Sequence, residues 1–193
     1  MVKQANFQSG VPTLEEPFFK LDNLNSYSQS YTSTYASFQS PQNDTIGSSS
    51  KKCVVLHLEP LRCFEVVERQ YESRGVIFHN CIAIEPSNPA FPPHSGAVVL
   101  MGSPKSGLLE ATFVNPVNFV SAFVTSSQRL VLSAYDSDRQ LLNQAVLPSG
   151  NLANSDETIE PNTLLSVSAD NIHSISFCAF DGQFTVDDLS FCY

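Results

Sequence analysis

One acidic residue, Asp187, lies in a stretch that otherwise has the pattern of a buried β-strand. Residues 184–191 read FTVDDLSF, and alternate side chains of a strand point to the same face. Asp187 therefore shares a face with Leu189 and Phe191, and it points inward if those two enter the core. An ionised carboxylate is not stable alone in an apolar interior, so it is paired, hydrogen-bonded or bound to a metal ion. The sequence thus predicts a site of one of these three kinds at Asp187.

A second candidate site is the proline-rich segment 86–95, PSNPAFPPHS. Its prolines restrict the backbone, and the segment could present Phe91 and His94 outward with Asn88 as a polar partner. Apolar faces of sugars stack on aromatic rings, so these three residues are candidate ligand-binding residues. The chain has no Trp, which weakens a glycan-binding interpretation. A plug buried in the domain is the alternative interpretation of this loop.

Motifs for catalysis are missing from the sequence. The patterns G-x-S-x-G, H-E-x-x-H and G-x-x-x-x-G-K-[ST] do not occur, and we assign no catalytic residue. The glycines of Gly102–Gly107 have the separation of a phosphate loop, but the lysine is misplaced, which favours a turn between strands. A hydrolase on a β-sheet scaffold is therefore the least supported hypothesis.

Histidine and cysteine pairs raise the question of zinc. Cys53 and His57 would share one strand face, as would His79 and Cys81, so a Cys₂His₂ site is conceivable if the strands are neighbours. Zinc sites usually take paired ligands from tight turns, whereas these residues lie in strand-like segments. Surface or packing roles are the favoured interpretation.

The charge balance narrows the possible partners. Nineteen acidic residues against ten basic ones give a net charge of −9, and no basic run is present. Such a surface repels polyphosphate, so nucleic acid is excluded as a partner. No apolar stretch reaches the roughly 18 residues of a membrane span.

The beginning of the chain and its cysteines predict a compartment. The first residues, MVKQANF, lack the apolar run of a secretory signal, so the sequence as given predicts a cytoplasmic protein. The five cysteines form an odd set without the spacing of a small disulfide-rich domain, which favours reduced thiols. They are Cys53, Cys63, Cys81, Cys178 and Cys192.

Two regions differ in composition. Residues 1–50 are rich in Ser, Tyr and Gln and poor in aliphatic residues, which predicts a low-complexity N-terminal tail or a docking segment. Residues 51–193 contain short runs of β-branched and aromatic residues separated by turn signals. This spacing predicts an all-β fold, an antiparallel β-sandwich or jelly roll. The expected strands are Val54–Leu58, Val76–Ile84, Ala97–Met101, Leu108–Val114, Phe119–Thr125, Leu130–Tyr135, Leu141–Leu147, Leu164–Ser168, Ile172–Phe180 and Phe184–Phe191.

An ordered set of motifs resembles a known family. The motifs are LEPL at 58–61, QYESRGVIF at 70–78, FVNPV at 113–117, LSAYD at 132–136 and VDDLSF at 186–191. Together they are similar to the galactose-binding-like jelly-roll domains of many bacterial, often exported, proteins, which are akin to calcium-containing carbohydrate-binding modules. The resemblance covers about residues 53–193 and rests on the order of the motifs. It implies a secreted protein as the alternative to a cytoplasmic one.

The resemblance also implies a structural calcium ion that joins the first and last strands. Glu59 takes the acidic position after the first strand, and Asp187 takes that of the last. Ca²⁺ prefers six to eight oxygen ligands, and carboxylates supply the charged part of such a shell. Asp188 is the next residue along the strand and points to the opposite face, so it is expected to face solvent. The alternative is that Asp187 accepts hydrogen bonds and binds no metal.

These observations favour a non-catalytic binding module that recognises a carbohydrate or a polymer surface on a calcium-stabilised jelly roll. The alternative is a protein-interaction or assembly scaffold that uses residues 1–50 to reach a protein partner. The sequence does not define the oligomeric state.

Overall fold

The computed structural model describes residues 52–102 and 107–193, and these residues form an antiparallel β-fold. The tail predicted for residues 1–50 lies outside them. The described ranges contain nine strands and one short 3₁₀ turn, which confirms the all-β prediction. The strands are β1 (Cys53–Val55), β2 (Val76–His79), β3 (Cys81–Ile84), β4 (Val99–Gly102), β5 (Leu108–Ser126), β6 (Leu130–Tyr135), β7 (Leu141–Leu147), β8 (Thr163–Cys178) and β9 (Phe184–Cys192), and the turn is Glu72–Arg74.

Two long strands, β5 and β8, organise the sheet. The strand order is β3-β4-β9-β5-β8-β6-β7, with β1 paired to β9 and β2 paired to β5. The beginning of β5 pairs with β2 and with the end of β8, which also pairs with β6. We call these strands, with β7, the front half. The end of β5 pairs with β9, which carries β4 and β1, and we call these strands, with β3, the back half.

The alternation of side chains between core and surface explains why these segments are strands. In β8, Ile175 and Phe177 are fully buried in the core, whereas Ser174 and Ser176 lie on the other face. Burying a large apolar side chain stabilises a fold by about 1.5–3 kcal/mol. The core contains many such residues, among them Phe78, Leu100, Phe184 and Phe191.

Three segments differ from the sequence predictions because of local backbone irregularities. Val76–Ile84 is divided into β2 and β3 at Asn80, which has a φ of 54°, a conformation that Asn adopts more readily than most residues. The segments predicted on either side of Pro116 join into β5, with register shifts between Thr112 and Phe119. The segments around Asn171, with a φ of 60°, likewise join into β8. Bulges of this kind bend a strand without ending it.

The residues around Gly75 are explained by packing. Tyr71 is 8% exposed, and its hydroxyl donates a 2.6 Å hydrogen bond to the carbonyl of His57. Burial raises the pKa of Tyr71 to about 12. Gly75 has a φ of +106°, and a Cβ there would collide with the Tyr193 hydroxyl. The motif QYESRGVIF at 70–78 therefore encodes a turn at Gly75 and a core contact at Tyr71.

A disulfide joins Cys53 and Cys192, which are 139 residues apart in the sequence. The two residues face each other in the β1–β9 register, so the bond connects both ends of the domain. The prediction of reduced thiols is wrong for this pair, because strand pairing between distant segments brings the two together. Cys63 and Cys178 are exposed free thiols, whereas Cys81 is buried and burial raises its pKa above the ordinary range.

The described residues contain no helix with the length and apolar character needed to cross a bilayer.

Removing the disulfide should destabilise the domain. We expect the double variant Cys53→Ser, Cys192→Ser to lose about 2–4 kcal/mol of unfolding free energy, because the unfolded chain regains the freedom that the bond removes. Urea unfolding measures this loss, with Cys178→Ser as the control for replacing an exposed thiol. Equal stability of the double variant and the wild type would contradict the prediction.

Candidate functional site

The buried acid Asp187 is solvated by backbone N–H groups. Its side chain is 3% exposed. Oδ2 accepts hydrogen bonds from the backbone N–H groups of His94 (2.8 Å) and Ser95 (3.0 Å), and Oδ1 accepts one from Asp188 (2.7 Å). Hydrogen bonds to an ionised acceptor are stronger than neutral ones. Of the three means of compensation predicted for this acid, the structure shows the hydrogen-bonded one.

A β-bulge in β9 turns the next acid towards the same loop. The β5–β9 register shifts by one residue after Ser121, and Asp188 has a φ of 44°. Its Oδ1 accepts a hydrogen bond from the Ser95 hydroxyl, and its Oδ2 lies 2.8 Å from His94 Nδ1.

The extra residue of a bulge breaks the strict alternation of a strand. Asp187 therefore pairs with Phe123, on the face opposite the core residues Leu189 and Phe191, and the prediction that it shares their face is wrong. Asp188, predicted to face solvent, is 25% exposed and contacts the loop.

A third acid, Glu59, holds the other end of this loop. Its Oε1 accepts hydrogen bonds from the backbone N–H groups of Ala97 (2.9 Å) and Val98 (3.3 Å). Gly96, between the two groups of donors, has a φ of +57°, and a Cβ there would collide with the Glu59 carboxylate. We call residues 94–98 the acid-bound loop. Glu59 and Asp187, predicted as a pair, thus bind opposite ends of the same five-residue loop.

The segment that precedes the acid-bound loop is anchored along its length. Asn88 Oδ1 accepts a hydrogen bond from the Ala90 N–H (3.0 Å), and the Ala90 carbonyl accepts one from the Ala153 N–H (3.0 Å). Asn162 donates from Nδ2 to the Pro92 carbonyl (3.1 Å). Residues 86–93 therefore form a fixed wall, which we call the proline wall.

The proline wall borders a cleft of about 300 Å³ on the outer face of the back half. Its floor is a row of side chains on three neighbouring strands, because Ile82 pairs with Met101 and Met101 pairs with Thr185. Asn88 and Phe91 line the cleft from the wall. Its volume lies at the lower end of the range of small-molecule sites.

Phe64 lines the opposite edge of the cleft and is unusually placed. Its side chain is 78% exposed, and its φ is 65°. Its backbone N–H donates a 2.7 Å hydrogen bond to the Ala83 carbonyl on β3. A left-handed backbone is uncommon for a bulky residue, and such strain concentrates at functional sites. The fold thus presents an aromatic ring to solvent beside an apolar floor.

A few polar groups converge on the cleft. Thr185 is 5% exposed, and its hydroxyl makes no hydrogen bond to another described residue. Asn88 and Gln183 lie at the rim, and Glu85 is the one charged residue among the described residues that line the cleft. The cleft therefore combines an apolar floor with hydroxyl, amide and carboxylate groups, a usual composition for a ligand site.

The structure places two of the three predicted ligand-binding residues at the cleft and the third outside it. Asn88 and Phe91 line the cleft, but Phe91 is 8% exposed and belongs to the wall. His94 lies outside the cleft lining, and its ring stacks on Phe123 with centroids 3.5 Å apart. Sequence reasoning missed Phe64 and Thr185. The hydroxyl of Thr185 in an apolar strand was a weak signal, whereas nothing in the sequence marked Phe64.

The described residues give limited support to metal binding. They contain no group of three or more His, Cys, Asp or Glu side chains able to hold an ion. The zinc alternative fails because Cys53 is in the disulfide. The carboxylates of Glu59 and Asp187 together accept five hydrogen bonds from backbone N–H groups. Ca²⁺ prefers six to eight oxygen ligands, and N–H donors cannot serve as ligands. Calcium at this pair stays a prediction.

Comparisons with solved structures return, among others, three proteins at low similarity. TmCBM61 in complex with β-1,4-galactotriose aligns with a TM-score of 0.35 and 11% identity, covering 64% of this chain and 94% of that one. A DUF4465 family protein from Bacteroides caccae aligns with a TM-score of 0.41 and 7% identity, covering 82% and 96%. Arabinose-bound MgGH51 α-L-arabinofuranosidase aligns with a TM-score of 0.38 and 12% identity, covering 76% and 27%. No family model and no curated protein matches the sequence.

Neutralising Asp187 should destabilise the acid-bound loop. Asp187→Asn places an amide NH₂ against backbone N–H donors, so we expect a loss of about 2–4 kcal/mol of unfolding free energy. Urea unfolding measures the loss, and Asp156→Asn, at an exposed position, is the matched control. Equal effects of the two substitutions would contradict the role assigned to Asp187.

The calcium prediction has its own test. If an ion binds at Glu59 and Asp187, calcium at about 100 times its Kd adds about 2.7 kcal/mol of stability. The melting temperature should then rise with calcium and fall with a chelator, and Glu59→Gln should abolish the rise. A melting temperature that is the same in calcium and in chelator would overturn the prediction.

Proposed function

We propose that this domain is a non-catalytic carbohydrate-binding module whose ligand site is the cleft between Phe64 and the proline wall. The observation that carries the proposal is the exposed Phe64 ring, held in a left-handed backbone conformation beside an apolar floor. Exposed aromatic rings are the usual platforms for the apolar faces of sugars.

The polar groups of the cleft suit the hydroxyls of a sugar. Thr185 offers a hydroxyl at the floor, and Asn88 and Gln183 offer amide groups at the rim. A sugar stacked on Phe64 would present ring hydroxyls towards these groups. No buried polar side-chain atom of the described residues lacks a hydrogen-bond partner, so the Thr185 hydroxyl keeps access to the cleft and is free to hydrogen-bond a ligand hydroxyl.

The rigidity of the proline wall favours this use. Its carbonyls accept hydrogen bonds from Ala153 and Asn162, and the acid-bound loop fixes its end. A preformed site loses less conformational freedom when a ligand binds. Weak contacts with a sugar can then yield a measurable affinity.

Charge favours neutral glycans. Glu85 at the rim and a net charge of −9 disfavour uronic acids and sulfated sugars by like-charge repulsion.

The composition of the cleft favours binding over catalysis. Glycosidases of the usual kind need two carboxyl groups that flank the bond to be cleaved. Among the described residues that line the cleft, only Glu85 carries a carboxyl group.

An oxidising environment is part of the proposal. Disulfides persist in secreted and periplasmic proteins and are rare in the cytosol of most organisms. The Cys53–Cys192 bond therefore supports an exported protein over a cytoplasmic one. The alternative, an assembly role for residues 1–50, concerns a segment that lies outside the described residues.

Binding should depend on Phe64. We expect the protein to bind at least one neutral oligosaccharide of a panel of β-1,4-linked galactose, glucose, mannose and xylose tetramers. Phe64→Ala should weaken that binding at least tenfold, because a buried aromatic contact contributes about 1.5–3 kcal/mol. Isothermal titration calorimetry measures the affinities.

The matched control is Phe180→Ala, since Phe180 is 88% exposed and lies outside the cleft lining. This variant should bind like the wild type. A panel without a binder at millimolar concentration would reject the proposal, and so would equal losses in the two variants.

A further inference from the structure

The outer face of the back half carries apolar residues where a sheet face next to water usually carries polar ones. Leu100 lies in the core, so its neighbours Val99 and Met101 on β4 point to the outer face. The register continues both positions onto β3, where Val99 pairs with Ile84 and Met101 pairs with Ile82. Four apolar side chains therefore lie side by side on this face, outside the core cluster.

The proline wall covers one part of this apolar face and leaves the other part open. Val99 and Phe91 are 1% and 8% exposed, and they are the two buried hydrophobic residues of the described chain that lie outside the core cluster. They form a second, smaller apolar layer under the wall. Ile82 and Met101, in the next row, are only partly buried and line the cleft. The open part of the apolar face is thus the floor on which a ligand rests.

Hydroxyl groups fit this floor poorly. The side chains of Ile82, Ile84 and Met101 offer no strong hydrogen-bond donor or acceptor. A plain hexose carries several hydroxyls around its ring, and a hydroxyl pressed against hydrocarbon without a partner costs free energy. A methyl group in the same place contributes favourable apolar burial. The floor therefore favours a sugar that carries an apolar substituent.

Glu85 adds a preference for a hydrogen-bond donor. It follows Ile84 at the end of β3 and lines the cleft where the proline wall begins. Its carboxylate makes no ion pair with another described residue. An ionised carboxylate only accepts hydrogen bonds, and an N–H donor binds it more strongly than it binds a neutral acceptor. The cleft therefore suits a ligand in which an N–H group lies next to a methyl group.

We propose that the cleft selects saccharides that carry N-acetyl groups. The sugar ring stacks on Phe64, the acetyl methyl rests on Ile82 and Met101, and the amide N–H donates to Glu85. Thr185 lies at the other end of the Ile82–Met101–Thr185 row, two strand spacings or about 10 Å from Ile82, and its hydroxyl is left for a ring hydroxyl. This inference rests on the proposed function, because it names the class of sugar that the same cleft binds.

A free amino group is the competing interpretation of Glu85. A net charge of −9 and a carboxylate without an ion pair attract cations. An ammonium group is strongly hydrated, however, and next to Ile82 and Met101 it would lose water without gaining an apolar contact. The floor therefore favours the acetylated sugar over its deacetylated form.

Two tetramers that differ in one substituent on each ring test the inference on the full chain. The β-1,4-linked tetramers of N-acetylglucosamine and of glucose share their backbone and differ in an acetamido group that replaces a hydroxyl. We expect isothermal titration calorimetry to show about tenfold tighter binding of the N-acetylated tetramer, and Phe64→Ala should weaken that binding about tenfold. The glucosamine tetramer, which lacks the acetyl groups, should bind less tightly than the acetylated one.

Two substitutions locate the selectivity, measured as the ratio of the affinities for the N-acetylated and the plain glucose tetramer. Met101→Ser removes part of the apolar floor and should lower this ratio about fivefold. Glu85→Gln removes the charge from the acceptor and should lower it about threefold. Leu164→Ser is the matched control, since Leu164 is 54% exposed and lies outside the cleft lining, and it should leave the ratio unchanged.

A cooperative thermal transition in each variant controls for folding, and Glu85 is exposed, so Glu85→Gln keeps the test valid if Met101→Ser does not fold. Equal affinities for the N-acetylated and the plain tetramer, both weakened by Phe64→Ala, would overturn this inference and leave the proposed function intact. Tighter binding of the glucosamine tetramer than of the acetylated one would overturn it as well, and so would a ratio that Glu85→Gln and Met101→Ser both leave unchanged. Failure of the proposed function appears differently, as the absence of any tetramer whose binding Phe64→Ala weakens.

Discussion

The interaction on which the walls of the cleft depend is the solvation of the Asp187 carboxylate by the backbone of the acid-bound loop. A charge 3% exposed is stable only with donors close to it, and the N–H groups of His94 and Ser95 supply them. The charge and the loop therefore need each other. Without the loop the carboxylate would lack compensation, and without the carboxylate two backbone N–H groups would lose their acceptor.

Two further features make this contact possible. The bulge at Asp188 gives β9 an extra residue, so consecutive acids reach the same loop. Gly96 supplies a left-handed backbone and leaves room for the Glu59 carboxylate. The three acids act on a segment that is continuous with the proline wall. The geometry of the proline wall thus depends on the carboxylates of Glu59, Asp187 and Asp188, none of which lines the cleft.

The sequence predicts the regular parts of the fold because core burial imposes alternation. The pattern around Ile175 and Phe177 indicated a strand, and the structure confirms it. The sequence also singled out Asp187, because an acid among core residues contradicts that pattern. Alternation fails at the bulge of β9, and for this reason Asp187 lies on the face of Phe123 and not, as predicted, on the face of Leu189 and Phe191.

Other features depend on contacts between distant segments, which a single sequence does not encode locally. The Cys53–Cys192 bond depends on the pairing of the first and last strands. The position of Phe64 depends on a hydrogen bond to Ala83 in a segment without periodicity. The floor of the cleft depends on the β3–β4–β9 register.

The last strand, β9, joins these contacts into one unit. Along its length it contributes Thr185 to the cleft floor, Asp187 to the acid-bound loop and Cys192 to the disulfide. On the core face of the strand, Val186, Leu189 and Phe191 are fully or almost fully buried. A change at Asp187 therefore affects the shape of the cleft and the stability of the domain together. Phe64, by contrast, is largely exposed and attached to β3 by its backbone, so its ring can change without cost to the core. The edge of the cleft can therefore change in sequence while β9 keeps the proline wall in place.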